Sequence, residues 1–254
     1  MSAAPWATIP ELIDDAAARF GDREAMVDGD VRWDFSEFRD HIHTAARALM
    51  ASGIDKGDRI AVWAPNIWEW AVVALGAHVA GAVVVPINTR WKGREAAYVL
   101  ATTDARMLFT VTGFLDTDYV ALLDAADVSP TLEEIVVMRG ESPEGVTSTT
   151  TSTTTQFADF MARAEQVDEA ARAERTAGVT GEDLCHIMFT SGTTGDPKGA
   201  MLIHSAICRA YLSWADVIGL DRDRYLIINP FFHSFGLNAC ILACLMTGST
   251  IIPH

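Results

Sequence analysis

The chain has 254 residues, half of them hydrophobic, with 34 acidic against 19 basic side chains and a formal net charge of −15. That length suits one large domain or two smaller ones. The acidic balance argues against nucleic-acid binding, no run of about 18 apolar residues suggests a transmembrane helix, and the first ten residues lack a secretory pattern.

In chain order, short apolar strands alternate with amphipathic helices. Residues 9–20 carry Leu12, Ile13, Ala16, Ala17 and Phe20 at helical spacing. Asp28-Gly29-Asp30 predicts a hairpin turn, and Ser36 is the expected N-cap of a helix that stops at Gly53. A strand at 59–63 ends in Ala64-Pro65-Asn66. A helix at 67–80 follows, and then the apolar run Gly81 to Pro86, of the kind found in parallel strands covered on both faces. Helix 92–103, strand 106–111, a helix near 118–126 and strand 133–138 continue the alternation.

The Ser/Thr run Thr147–Thr155 cannot bury apolar area and is expected to form a mobile loop. Beyond it the pattern predicts helix 157–174, a linker at 178–181, strand 183–189, helix 204–218, strand 225–229, an apolar helix 237–247 and strand 250–252. The βαβ repetition predicts an α/β fold with doubly wound, largely parallel sheets and flanking helices. The expected division is an N-terminal subdomain at 1–175 and the start of a second at 176–254.

Cys185, Cys208, Cys240 and Cys244 form no C-x-x-C pair and are expected to be buried free thiols, as suits a reducing cytoplasm. His204 reads as a cap or packing residue, His186 as structural, and Trp68 and Trp70 as core or interface.

The chemistry-bearing stretch is Phe189-Thr190-Ser191-Gly192-Thr193-Thr194-Gly195-Asp196-Pro197-Lys198-Gly199. Its glycines let a ligand approach the backbone, successive N–H groups make an anion-binding nest, and the hydroxyls and Lys198 can reach phosphate oxygens or Mg²⁺. It is not a P-loop of the G-x-x-x-x-G-K-[ST] type, because Gly199 follows the lysine where a Ser or Thr is needed.

This stretch resembles the signature loop of the adenylate-forming superfamily, which includes acyl-CoA synthetases, peptide-synthetase adenylation domains and luciferases. Asp58–Asn66, Gly81–Arg90 and Pro230-Phe231-Phe232-His233-Ser234-Phe235-Gly236 resemble further segments of that family, and the likeness runs from about residue 8 onward. The flavour is that of actinobacterial ligases for fatty or steroid-derived acids.

The resemblance implies ATP-dependent activation of a carboxylic acid to an acyl-adenylate, then transfer to CoA. It implies that Thr190, Ser191, Gly192, Thr193, Thr194, Gly195 and Lys198 enclose the ATP phosphates, that Thr190 lies nearest Mg²⁺, and that His233 faces the acyl-adenylate. Family members are roughly twice as long. The later Thr-Glu motif, the ribose-binding Asp, the hinge and the C-terminal catalytic Lys have no counterpart here. The expectation is therefore an N-terminal portion, inactive alone, whose open sheet edge invites homo-oligomer formation. Two other readings remain: a non-catalytic interaction protein that kept the half-fold, and a peptide-synthetase adenylation domain.

Overall fold

The computed structural model describes residues 4–126, 131–141, 152–190 and 197–254. In chain order the helices are α1 (Ile9–Phe20), α2 (Phe35–Ala51), α3 (Trp68–Ala80), α4 (Gly93–Thr103), α5 (Tyr119–Asp124), α6 (Phe157–Ala162), α7 (Glu169–Ala177), α8 (His204–Ile218) and α9 (Ala243–Thr247). The strands are β1 (Glu24–Asp28), β2 (Val31–Asp34), β3 (Arg59–Trp63), β4 (Val83–Pro86), β5 (Ala105–Phe114), β6 (Thr117–Asp118), β7 (Glu134–Arg139), β8 (Thr153–Gln156), β9 (Leu184–Thr190), β10 (Lys198–Ile203), β11 (Arg224–Ile227) and β12 (Thr250–Pro253).

Two sheets form the scaffold. The larger has the order β10-β9-β4-β3-β5-β7-β8, with β6 attached to β5. The smaller has the order β11-β12-β1-β2. Pairing is parallel except at β9–β10, β5–β6 and β1–β2. The expected doubly wound, largely parallel α/β fold is what the chain adopts. Both sheets take strands from either side of residue 176: β9 pairs with β4, and β12 with β1. A boundary at 175/176 is therefore not a boundary between sheets.

Local chemistry explains the elements. Thr8 caps α1 by accepting from the Glu11 N–H (3.2 Å), and Ile9, Leu12, Ile13 and Ala16 are buried beneath it. The cap of α2 is Asp34 rather than Ser36. Its carboxylate accepts from the Glu37 N–H (2.7 Å), and Glu37 reaches back to the Asp34 N–H (3.0 Å) in a reciprocal box. Helix α3 is buried nearly all round. It closes on α2 at Gly76, where an added Cβ would lie 2.8 Å from Ala45 Cβ and 3.0 Å from Ile42 O. Arg139 at the end of β7 joins the two sheets, pairing with Asp28 of β1 (2.6 Å) and with buried Glu69 of α3 (2.7 Å).

Three further expectations need correction, and one strand was not anticipated. Residues 153–155 are not loop: they pair in parallel with β7 as part of β8. Threonine is β-branched and suits an edge strand, and Thr155 finds a partner in Glu134, which Arg163 also holds at 2.7 Å. The earlier part of that Ser/Thr run, 147–151, lies outside the described residues. The helix expected at 157–174 breaks: a 3₁₀ turn over Arg163–Gln166 leads to extended Val167, and Asp168 caps α7 by accepting from the Ala171 N–H (2.7 Å). The apolar helix near 237 begins earlier, as a π-helix over Phe235–Leu242 that passes into α9. Strand β10 was not anticipated, because its start, Lys198-Gly199-Ala200, is solvent-exposed and shows no apolar alternation.

All four cysteines are buried free thiols, as expected. Trp70 is fully buried and Trp68 packs against the core. No helix among the described residues is long and apolar enough to cross a membrane.

Candidate active site

In the larger sheet the parallel strands β3, β4, β5, β7 and β9 all end on one edge. Ligands of open α/β sheets bind outside that carboxyl edge. Strand β9 reaches it at Thr190, and β10 returns antiparallel with Lys198 opposite Thr190 and Gly199 opposite Phe189. The Gly/Thr-rich stretch is thus flanked by two paired strands. Ser191, Gly192, Thr193, Thr194, Gly195 and Asp196 lie outside the described residues. Thr190 and Lys198 are described, and both are exposed. Directly opposed residues of an antiparallel pair project to the same face, so a hydroxyl and an ammonium stand side by side at the hairpin's shoulders. The Thr190 hydroxyl also lies 3.5 Å from Lys198 O. This pair can hold an anion.

His233 comes from the smaller sheet, in the turn between β11 and the π-helix. It is exposed. Its N–H donates to Pro230 O (3.0 Å), and its Nδ1 accepts from the Phe235 N–H (3.1 Å). A neutral ring whose Nδ1 accepts carries its proton on Nε2, so it presents a donor outward. The turn around it is over-determined. The Phe231 ring packs on Trp70 (5.5 Å between centroids), and Trp214 meets Phe235 edge to face. The Tyr211 and Ser234 hydroxyls are 2.8 Å apart, and Asn238 Nδ2 donates to Ser234 Oγ (3.1 Å). Gly236 lies so close to Pro230 that a Cβ there would fall 2.1 Å from Pro230 O. The π-helix begins one residue earlier, and such bulges recur at functional sites.

Among the described residues no hydrogen bond joins His233 to Thr190 or Lys198. Asn66, in the turn after β3, ties the segment that carries His233 to the larger sheet. Its carboxamide contacts main-chain groups of Ile227, Asn229, Phe231 and His254. The order β9-β4-β3 sets the line of Thr190 roughly 10 Å along the edge from that of Asn66. Sequence reasoning noted Asn66 only as part of a similar stretch and gave it no task. Tyr211 and Asn238 carried no motif at all.

His204 and His186 are packing residues in a buried histidine group with His78. The ring of His78 lies 5.6 Å from each of the other two. No cluster of three or more His, Cys, Asp or Glu among the described residues could hold a metal ion. The Thr190 hydroxyl is the kind of hard oxygen donor that a small divalent cation accepts.

Comparison with known proteins bears on the family and the fold. A ligase acting on 3-[(3aS,4S,7aS)-7a-methyl-1,5-dioxo-octahydro-1H-inden-4-yl]propanoate to give its CoA derivative, from Mycobacterium tuberculosis, is 41% identical over 248 residues, covering 97% of this chain and 46% of the relative. The long-chain-fatty-acid–CoA ligase FadD13 of the same organism is 33% identical, over 88% of this chain and 40% of its own length. The chain spans about half the length of the curated relatives it matches. Among solved structures, the inhibitor-bound N-terminal domain of FACL13 from Mycobacterium tuberculosis superposes with a TM-score of 0.75 at 28% identity, covering 96% of this chain and 56% of that one. The anthranilate CoA ligase AuaEII in complex with anthranoyl-AMP shares the fold, with a TM-score of 0.79 at 23% identity over 97% of this chain and 45% of that one. The family model of AMP-binding enzymes matches residues 13–254, and the chain belongs to that family of adenylate-forming enzymes, whose similar members are acyl-CoA ligases.

Proposed function

We propose that the protein is an AMP-forming acid–thiol ligase. A substrate carboxylate oxygen attacks the α-phosphorus of ATP, the bond to the β-phosphate oxygen breaks, and pyrophosphate leaves. A thiolate of CoA then attacks the acyl carbon and expels AMP. The observation that carries this reading is the β9–β10 pairing, which sets Thr190 and Lys198 opposite each other. In-line displacement at phosphorus needs charge stabilisation on the leaving group more than covalent help. Lys198 and the hydroxyls and N–H groups of Thr190, Ser191, Gly192, Thr193, Thr194 and Gly195 supply it. Thr190 Oγ1 would also ligate Mg²⁺, which neutralises phosphate charge when bound. The outward Nε2–H of His233 donates to the adenylate's acyl oxygen.

A hydrophobic carboxylic acid, fatty or ring-bearing, is the proposed substrate, supported by the names of the similar ligases. CoA is the proposed acceptor, and the four buried thiols suit a cytoplasmic setting. The inactivity of these residues alone belongs to the same proposal. So does self-association through the β11 edge, where Leu226 and Ile228 are exposed; a clean monomer on size exclusion would count against it.

Lys198→Ala and Thr190→Val are expected to slow acid-dependent ATP–pyrophosphate exchange by about 100-fold each in the intact protein, the scale of losing one preorganised donor. Unchanged exchange in both would sink the assignment of the hairpin. His233→Ala is expected to lower acyl-CoA formation by at least about tenfold while the melting temperature stays within a few degrees, because the ring is exposed. An unfolded variant would mean that His233 serves packing instead.

A further inference from the structure

Asn66 makes four polar contacts between the two sheets. Its Nδ2 donates toward Ile227 O (3.2 Å), Asn229 O (3.0 Å) and His254 O (3.2 Å), and its Oδ1 accepts from the Phe231 N–H (2.7 Å). Three carbonyls on one side and an N–H on the other fix the amide's orientation. All four partners are main-chain groups more than 160 residues away. They sit where β11 and β12 run out, so the carboxyl ends of the smaller sheet's parallel strands are tied to the carboxyl end of β3. No other side chain of this length offers two donors and an acceptor. Aspartate has no donor, and serine has one.

We propose that Asn66 is a positioning residue for His233. It sets where the Pro230–Gly236 turn stands on the larger sheet's carboxyl edge, and hence how His233 faces whatever the Thr190–Lys198 hairpin holds. The role rests on the ligase reaction proposed above. The chain of contacts is short. Asn66 pins the Phe231 N–H, Trp70 pins the Phe231 ring, and two residues on His233 is locked to Pro230 O and the Phe235 N–H. The local turn thus fixes the tautomer of His233, and Asn66 fixes its place. A cleft of about 430 Å³, lined by Pro65, Asn66, Ile67, Phe114, Arg139 and His254 among others, opens beside the carboxamide. Groups freed by substitution can be hydrated there, so losing Asn66 displaces the turn without unfolding the domain.

The test uses Asn66→Ala and Asn66→Asp in the intact protein, read by amide hydrogen exchange and by steady-state kinetics. For Asn66→Ala, exchange over Phe231–Gly236 rises while that of β9 and β10 is unchanged. The kcat for acyl-CoA formation falls 10- to 100-fold, the scale of misplacing a reacting group by about 1 Å, and the KM for ATP stays within about twofold. Asn66→Asp keeps the acceptor for the Phe231 N–H, so that amide stays protected, yet kcat falls as far because the donors are gone. An unchanged kcat despite faster exchange in the turn would overturn the role. So would a rise in the KM for ATP accompanied by lost protection in the hairpin. Wild-type protein with no acid-dependent pyrophosphate exchange would overturn the reaction and this role together. An active wild type with an unaffected Asn66→Ala variant overturns the role alone.

Discussion

Lowering the pH from 7 to 5 is expected to cost the fold on the order of 4 kcal/mol through two histidines, His186 and His204, with a third, His78, acting in the same direction. All three are buried. Burial is the largest cause in each case and holds the rings neutral: His186 is pushed down to about 3, His204 to about 4, and His78 well below its ordinary range. His204 and His186 also disfavour charge on His78, and His204 on His186; at His204 itself Asp183 favours the charged ring and Lys56 opposes it. His78 Nε2 lies 3.1 Å from Cys185 O and His204 Nδ1 accepts from the Ile9 N–H (3.3 Å), while the Nδ1 atoms of His78 and His186 have no partner among the described residues. The folded rings take up protons only well below the unfolded value of about 6.5. Above that pH neither state binds them, and the contribution to stability is fully present. Below it the unfolded chain binds one proton per histidine that the folded chain does not, so stability falls with pH until the folded values are reached. His186 and His204 each contribute about 2 kcal/mol at pH 5, against a usual total of about 5–15 kcal/mol. Denaturant titrations at pH 7, 6 and 5 should show a slope approaching three protons, and His186→Gln should remove one of them. A flat profile from 7 to 5, or a slope that His186→Gln leaves intact, would refute the neutral cluster.

That cluster was invisible in the sequence for a plain reason. His78 lies on α3, His186 on β9 and His204 at the start of α8, and no local spacing links them. The elements themselves were legible wherever periodicity and caps agreed. The buried run Gly81–Pro86 announced β4, and the apolar stripe of residues 9–20 announced α1. Legibility failed where a side chain's partner came from elsewhere. Asp34 displaced Ser36 as a cap because Glu37 completed a box, and Asp168 broke one expected helix into two. β8 needed the partnership of Thr155 with Glu134 to make a strand of a Ser/Thr run.

The site divides in the same way. The hairpin motif is contiguous, and its residue types state their own chemistry, so Thr190 and Lys198 could be named from sequence. His233 was legible only through its resemblance to a family segment. Its surroundings were not, because they are assembled from four elements: Asn66 after β3, Trp70 on α3, Tyr211 on α8 and Asn238 in the π-helix. Even strand β10 escaped notice, although it converts a loop into a hairpin and gives Lys198 a fixed position opposite Thr190.

Gly236→Ala is expected to have a large effect on the reaction, because among the described glycines it is the one whose added methyl group would press on the His233 turn. The new Cβ would fall 2.1 Å from Pro230 O, 2.5 Å from Pro230 C and 2.8 Å from Asn229 O. These are backbone atoms, so no rotamer change relieves the clash, and either the π-helix or the Pro230 peptide must move. Pro230 O accepts the His233 N–H, Asn229 O accepts from Asn66, and the Phe235 N–H that fixes the imidazole is one residue away. Any shift therefore reaches His233. Overpacking of this kind costs about 1–3 kcal/mol of stability. A displacement near 1 Å lowers the rate of the proposed acyl transfer about 100-fold. Gly178→Ala is the matched control, because its Cβ would come no closer than 3.3 Å to a neighbour, Arg175 O. The expected result is a folded Gly236→Ala protein that has lost acyl-CoA formation but retains nucleotide binding at the Thr190–Lys198 hairpin, beside a Gly178→Ala protein with wild-type rates. Equal rates in the two variants would show that the turn tolerates the shift, and that the position of His233 is not what limits the reaction.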